Sequence, residues 1–441
     1  MRDYLTILGA GLAGSEAAWQ AAERGVSVVL YEMRPVKPTP AHKTDHCAEL
    51  VCSNSLGNNQ SPSAPYLLKE ELRKFNSLVI DAGDTHAVPA GAALAVDREL
   101  FSKKITEQLL KHPNITLIRE EVTEIPSEGP VIVATGPLTS PRLSESISRL
   151  IGQEYLYFYD AISPIVDANT INYDKTFFAS RYDKGTDDYL NCPLNEGQYY
   201  SLVNELKNGE KVPFKSFEKP IYFEGCMPVE ELAMRGDKTL AFGPLKPVGL
   251  LHPETKEQFY AVVQLRHENK EGTAFNLVGF QTKLTYPEQK RVIRLIPGLE
   301  NVEFFRFGAI HRNTYINAPD VLSCELDLKK NSGIYFAGQI IGVEGYVESV
   351  SMGLLAALSA VKRIKGEVYS TPPVDTALGS LLKYVTETRR QSFQPMNINY
   401  GLFQVHEMKI RNKRERNKKI ELKALDSLSQ WMETINGELV K

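Results

Sequence analysis

The stretch DYLTILGAGLAGSEAAWQAAERGVSVVLYEMRP, residues 3–35, leaves few folds open. An apolar strand (4–8) runs into Gly9-x-Gly11-x-x-Gly14, then an Ala-rich helix, then a second strand (26–31) ending at Glu32. Each part answers a mechanical need. Gly9 permits the tight turn, Gly11 lets backbone approach a pyrophosphate, and Gly14 lets the helix lie close on the strand. The helix start, with Ala10, Leu12 and Ala13 around it, offers N–H groups to phosphates. Glu32 stands where an acid accepts a ribose hydroxyl. Strand, glycines, helix, strand and acid in this order predict a dinucleotide-binding α/β fold. The motif does not separate FAD from NAD.

A second glycine-rich junction lies far along the chain. GIYFAGQIIGVEGYVESVSMGLLAALSAVKRIKG (333–366) reads as a strand (334–337), a turn with Gly338, Gly342 and Gly345, and a long helix ending near Gly366. Two such junctions in one chain are what two-motif FAD folds use, with the flavin between both helix ends. No separate GxGxxG marks a dedicated nicotinamide domain, so a nicotinamide would share the flavin face. VIVATGP, ending at Thr135-Gly136, is like a further strand on the nucleotide side. Gln339 stands where many such folds carry Asp. A neutral amide still bonds ribityl hydroxyls. Glu344, Tyr346 and Ser349 are further candidates for cofactor contacts.

Between the junctions, 33–65 is rich in Pro, Ser and Asn and reads as a long loop, of the kind usually functional or disordered. Residues 64–84 read as a helix running into a loop, and 95–113 as a helix capped by Asp97. Residues 115–126 and 129–137 alternate like strands. The texture turns aromatic and β-like from about 155, and 261–299 reads as two strands and a helix. The expected organisation is a discontinuous FAD-binding domain (1–150 and 305–370), an inserted mixed α/β domain (151–304), and a helical C-terminal segment (371–441) packing on the FAD domain.

With 441 residues the chain is too long for one ordinary core. The net charge of −3 means any nucleic acid must meet a local patch. The densest is HEMKIRNKRERNKKIELKAL (406–425), where Lys409, Arg411, Lys413, Arg414, Arg416, Lys418 and Lys419 crowd one helical stretch. Such a stripe neutralises phosphates as readily as it solvates a helix face. The 5 cysteines, an odd count with no CxxC, argue against a disulfide framework or structural zinc and for a reduced, cytoplasmic setting. His42, His46 and His86 match no zinc spacing, and no metal is expected. The chain starts without a signal peptide, and no apolar run nears the ~18 residues of a membrane span.

One cysteine is placed as a nucleophile would be. In EGCMPVEELAMRG (224–236) Cys226 follows a strand-like run and precedes a helix with Pro228 in its first turn and Arg235-Gly236 at its end. Unpaired N–H groups there favour a thiolate. Glu230 and Glu231 push the other way, and a buried inert Cys is the plain alternative.

Taken together, the two glycine motifs, AHKTDHCAELVCSNSLG, FEGCMPVEELAMRG and FQPMNINYGLF closely resemble the bacterial folate- and FAD-dependent tRNA (uracil-5-)-methyltransferases. The resemblance runs nearly end to end. The related wobble-uridine carboxymethylaminomethyl enzymes share the FAGQ-type segment but carry an extra C-terminal domain, for which this chain has no room. The resemblance implies transfer of a methylene from 5,10-methylenetetrahydrofolate to C5 of the T-loop uridine of tRNA. FAD and NAD(P)H would provide the reduction. It implies Cys226 as nucleophile toward uracil C6, because C5 is a poor nucleophile until C6 is attacked. It also implies Cys52 as the second thiol, taking the C5 proton. Cys47 lies in the same loop and stays open as that thiol, whereas Cys192 and Cys324 read as structural. Ser53, Asn54 and Ser55 are positioned as donors to flavin or folate. Arg389, Arg390, His311 and Arg312 join the basic stretch as an RNA-facing set. A ribosomal RNA target, and NADH against NADPH, stay open. An oxidoreductase without RNA would want a redox-spaced thiol pair, which is absent. A non-catalytic FAD-bound RNA module would have no use for Cys226.

Overall fold

The computed structural model describes residues 4–39, 41–153, 156–183, 186–213, 222, 227–253, 255–388, 393–403 and 410–437. These carry two six-stranded sheets, a three-stranded sheet and a two-stranded ribbon.

The first sheet is built on the opening motif. Tyr4–Leu8 lies between Ser27–Glu32 and Val131–Val133, with Ile115–Arg119 beyond the former and Asn331–Phe336 beyond the latter, all parallel. A short antiparallel strand, Asp327–Leu328, closes the edge. Leu5, Ile7, Val131, Ile132 and Val133 are wholly buried, which is why these strands read as apolar runs rather than as alternation. The register Leu8↔Tyr31 and Leu8↔Val133 brings the carboxyl ends of three strands level, where open α/β sheets bind ligands.

Two helices press together over this sheet. The first helix, Leu12–Glu23, meets the long helix, Tyr346–Lys365, at glycine: a Cβ on Gly353 would stand 2.2 Å from Ala13 O. A Cβ on Gly14 would stand 1.8 Å from Gly9 O. The long helix ends at Gly366 in the left-handed region, φ 71°. The C-terminal helix, Lys413–Gly437, joins the same core through Ile420, Ala424, Leu428, Trp431 and Ile435, one stripe at helical spacing.

The second sheet is antiparallel and packs its own core around Tyr199, Leu202, Val263, Leu265, Phe275 and Phe280. Its strands are Phe177–Phe178, Tyr189–Leu194, Ala261–His267, Ala274–Leu277, Ile165–Asp167 and Phe304–Arg306. The chain enters this region through Leu156–Ala161 and leaves through Ile310–Tyr315, which pair as the ribbon.

Two elements differ from the sequence reading. Residues 64–84 read as one helix running into a loop; they form two helices, Ala64–Lys74 and Leu78–Thr85, the second capped by Ser77, whose Oγ accepts from Ile80 N. Its glycine is a packing residue, since a Cβ on Gly83 would meet Leu56 Cδ1 at 2.8 Å. The long loop 33–65 contains a strand, Ser55–Asn58, which pairs with Ala93–Val96. Its Gly and Asn mask the extended state that the partner strand imposes.

Candidate functional site

Both glycine junctions open on one cavity, which holds about 1070 Å³ with its mouth included. Its lining includes Gly9, Gly11, Leu12 and Ala13 from the first junction, Glu32 from the second strand, Thr135 and Gly136 from the third, and Gly338, Gln339, Tyr346 and Ser349 from the second junction. At Gly9 φ is +94°, and its N–H donates to Tyr31 O at 2.8 Å. A Cβ on Gly338, φ +82°, would touch Ala13 Cβ at 2.8 Å, whereas one on Gly11 would meet nothing within 4 Å. Gly11 therefore keeps its backbone bare toward the cavity, and the other two hold its walls together. A long cleft between two helix N-termini, with bare backbone at Gly11, fits a dinucleotide carrying a second ring system.

Ala10 and Glu32 serve each other. Ala10 N donates to Glu32 Oε2 at 3.0 Å, so this N–H is not offered to a phosphate. Glu32 Oε1 accepts from Arg34 N and Nε. Burial works to raise the Glu32 carboxyl, but the Arg34 charge and these bonds outweigh it and hold it below the usual range. Arg34 is the hub the sequence did not reveal. It is 3% exposed and also donates to Thr44 O, His46 O and Glu49 Oε2, while Glu49 takes the N–H groups of Lys43 and Thr44. One Arg thus folds the Pro-rich loop onto the cavity rim. His42 lines that rim, with Nδ1 2.6 Å from Thr39 Oγ1; burial and then Arg34 lower its pKa to about 4, so it is neutral at physiological pH.

At the second junction Gln339 Nε2 donates to Glu344 Oε2 at 2.8 Å. Burial, with Asp160 beside it, raises the Glu344 carboxyl well above the carboxylate range. Gly342 and Gly345, φ +84° and +114°, shape the turn instead of lining the cavity; a Cβ on Gly342 would collide with the Phe393 ring at 2.3 Å. Tyr346 reaches from the cavity wall to the cysteine loop, and its hydroxyl oxygen accepts from Cys52 N at 2.8 Å and Ser53 N at 3.2 Å.

That loop is gripped from the far side as well. Arg98 donates to Leu50 O, to Cys52 O and to both oxygens of Glu268, a residue just past the second sheet's strand Ala261–His267. Arg266 donates to Asn54 Oδ1 and Ser53 Oγ. Asn54 is wholly buried, and its amide donates to Val96 O and His267 O. Asn54 is therefore a structural tie, not a free donor to flavin or folate as the sequence suggested. Ser55 Oγ accepts from Gly57 N within its strand and lies outside the cavity lining. The legible signal for this clamp was Arg266, a charge near the end of the strand Ala261–His267.

The two loop thiols differ. Cys47 is wholly buried, its N–H donates to Thr106 Oγ1, and burial raises its thiol. Cys52 is half-buried with Sγ 3.9 Å from Ala161 O. Cys192 is buried with a thiol raised by burial, and Cys324 is exposed. Cys226 lies outside the described residues, as do Arg389, Arg390 and Lys409, and the side chains of His311 and Arg312. Just beyond Cys226, Pro228 caps the helix Val229–Met234. The two acids expected to oppose a thiolate there are spoken for. Glu230 is buried, accepts from Thr282 Oγ1 and Lys283 N, and is raised by burial; Glu231 is paired with Lys283 Nζ at 2.6 Å. Among the described residues no cluster of metal-ligating side chains occurs, and no helix is long and apolar enough to cross a membrane.

Comparison with known proteins agrees with this geometry. Residues 4–368 match the family described as glucose inhibited division protein A. The methylenetetrahydrofolate–tRNA-(uracil-5-)-methyltransferase TrmFO of Natranaerobius thermophilus is 57% identical over 429 residues, covering 97% of this chain and 99% of that one. The chain belongs to the TrmFO family. TrmFO of Bacillus subtilis is 53% identical over 431 residues, covering 98% and 99%. In fold, the TrmFO-family chain here is like Aquifex aeolicus GidA, with a TM-score of 0.71 at 17% identity over 98% of this chain and 73% of that one.

Proposed function

We infer that this chain is a methylenetetrahydrofolate–tRNA-(uracil-5-)-methyltransferase, moving a one-carbon unit from the folate to C5 of a uridine in tRNA. Its near full-length identity to enzymes of that name supports the reading. The observation on the site that carries it is the Tyr346 bridge, which hangs the half-buried Cys52 beside the two-junction cavity.

FAD suits that cavity: Gly11 and Gly338 would take its pyrophosphate and ribityl backbone, and Gln339 would take a ribityl hydroxyl. When bound, FAD supplies the electrons, renewed from NAD(P)H, that turn the transferred methylene into a methyl. The rest of the chemistry belongs to the chain. The Cys226 thiolate adds to C6 of the T-loop uracil, and the electron pair moves to C5, which then bonds the methylene carbon. Cys52 takes the proton from C5 as the bond between the methylene carbon and its carrier nitrogen breaks, and the C6–S bond breaks as a hydride equivalent completes the methyl. Cys52 is preferred to Cys47 because a wholly buried thiol with a raised pKa is neither a ready base nor within reach of RNA.

The test is methyl transfer by purified yellow protein given methylenetetrahydrofolate, NAD(P)H and unmodified tRNA, beside Cys226→Ala, Cys52→Ala and Cys47→Ala. The first two are expected to lose the 5-methyluridine and keep the flavin spectrum, and the third to keep activity. Methyl on ribosomal RNA alone would move the target. NAD(P)H oxidation with no methylated RNA would make the protein an oxidoreductase.

A further inference from the structure

The basic face of the C-terminal helix forms one wall of an open groove. The opposite wall is Pro62 and Ser63 with the first residues of the helix Ala64–Lys74, and the end is closed by Ile398, Asn399, Tyr400, Gly401 and Phe403. A second stretch, lined by Asn58, Gln60 and Ser61, continues it and shares Pro62, Lys413 and Asn417. Among the described residues none that lines the groove is acidic.

The cations sort into two kinds. Lys418 is tied to Glu421 at 2.7 Å and Lys419 lies 3.9 Å from Glu415. Lys413, Arg414 and Arg416, which line the groove, make no ion pair among the described residues. Unpaired cations on three of four successive positions, facing a wall of Pro, Ser, Asn and Gln, complement a polyanion. The floor also leaves hydrogen-bonding capacity unused. Asn417 is 8% exposed, and its Oδ1 and the Tyr400 hydroxyl have no partner among the described residues. Buried polar atoms of this kind call for water or a ligand. A ribose–phosphate chain brings both the anions and a 2′-hydroxyl donor.

The groove adjoins the chemistry by two short paths. Glu344 N donates to Met396 O, Asn397 Nδ2 to Glu344 O, and Ile398 N to Glu348 Oε1, so the segment that closes the groove starts on the second glycine junction. Asn58 is six residues from Cys52, at most about 20 Å of extended chain.

We propose that this groove holds the sugar–phosphate backbone of the tRNA whose uridine is methylated, through Lys413, Arg414 and Arg416. The proposal rests on the functional reading above for the identity of its RNA. Its test is direct binding, which does not require methyl transfer. Affinity of the flavin-loaded protein for unmodified tRNA is measured across salt for wild type, Lys413→Gln/Arg416→Gln and Lys413→Glu/Arg416→Glu. All replaced side chains lie at the surface of a helix, and a flavin spectrum and melting curve check the fold. Each lost phosphate contact flattens the log–log salt slope by about 0.7–0.9. The neutral pair is expected to flatten it by roughly 1.5. The reversed pair should also bind at least tenfold more weakly, with KM for tRNA raised and kcat at saturating tRNA kept. A salt slope and KM equal to wild type in both variants would overturn the groove as the RNA site. Wild-type protein that binds tRNA with the expected slope but methylates none would instead overturn the functional reading and leave the groove standing.

Discussion

Arg98→Met removes the cation that joins the Cys52 loop to the second sheet while keeping an unbranched side chain of similar length. Glu268, whose side chain is 6% exposed, then stays behind as a buried anion. Breaking a buried pair from one side costs about 3–5 kcal/mol, a large part of the roughly 5–15 kcal/mol that holds a domain folded. Two carbonyls, Leu50 O and Cys52 O, lose their donor at the same time. At about 0.5–1.5 kcal/mol per hydrogen bond, the loop opens roughly 5- to 150-fold more often. Two assays separate these effects. Denaturant unfolding reads the first, and alkylation of Cys52, followed on its peptide by mass spectrometry, reads the second. Adding Glu268→Leu to Arg98→Met removes the stranded anion. Stability should then recover by most of the charge penalty, while Cys52 alkylation stays fast. A single variant less than about 1 kcal/mol down would mean that the pair behaves as a solvent-screened surface bridge. Alkylation at the wild-type rate would mean that the clamp does not order the thiol.

Tyr346→Phe deletes the acceptor of two backbone N–H groups without emptying the cavity wall; kcat is expected to fall by about tenfold or more at a cost of about 1–3 kcal/mol per orphaned donor, with the flavin spectrum kept, and an unchanged kcat would remove Tyr346 from the positioning of Cys52. Gly353→Ala and Gly11→Ala should fail differently. The first drives a methyl into Ala13 O and lowers the melting temperature, whereas the second meets no neighbour, keeps the fold and loses flavin affinity, as titration of apoprotein would read. Glu71 is buried among the N–H groups of Ala377 and Leu378, and burial raises its pKa from 4.5 to about 8. The folded state then holds a proton that the unfolded state has released, so stability falls as pH rises from about 4.5 to about 8, by up to about 1.4 kcal/mol per unit. Glu348, raised to about 7 by burial, adds to this slope, and Lys69, lowered to about 8, opposes it only above that pH. Glu71→Gln should flatten denaturant midpoints measured from pH 5 to 8, and curves parallel to wild type would refute the burial argument.

What was legible in the sequence was local. Gly9, Gly11 and Gly14 announce a strand, turn and helix within a dozen residues, and Asp97 announces its helix by accepting from Glu99 N and Leu100 N. What was hidden depends on partners far along the chain. Asn54 looks like a loop donor until Val96, Arg266 and His267 arrive from 42, 212 and 213 residues away. Ala10 sits inside the phosphate motif, yet its N–H goes to an acid 22 residues on. Arg34 follows a recognisable Glu32, but nothing nearby says that it will gather Thr44, His46 and Glu49. Motifs carry the positions that face a ligand; the residues that hold those positions still are chosen by the fold.

The contact of the first and long helices at Ala13 works like the fixed jaw of a vice. Gly353 and Gly338 bring the long-range half of the cavity against Ala13 with no room for even one methyl, so the distance between the two glycine turns cannot breathe. Any adjustment to cofactor, folate and a bulky RNA then has to come from the opposite jaw, where Arg98, Arg266 and Asn54 join the cysteine loop to the second sheet by polar bonds instead of close-packed backbone. Substitutions in that second sheet, remote from both glycine motifs, should therefore tune how the thiols meet their substrate while leaving the flavin where it is.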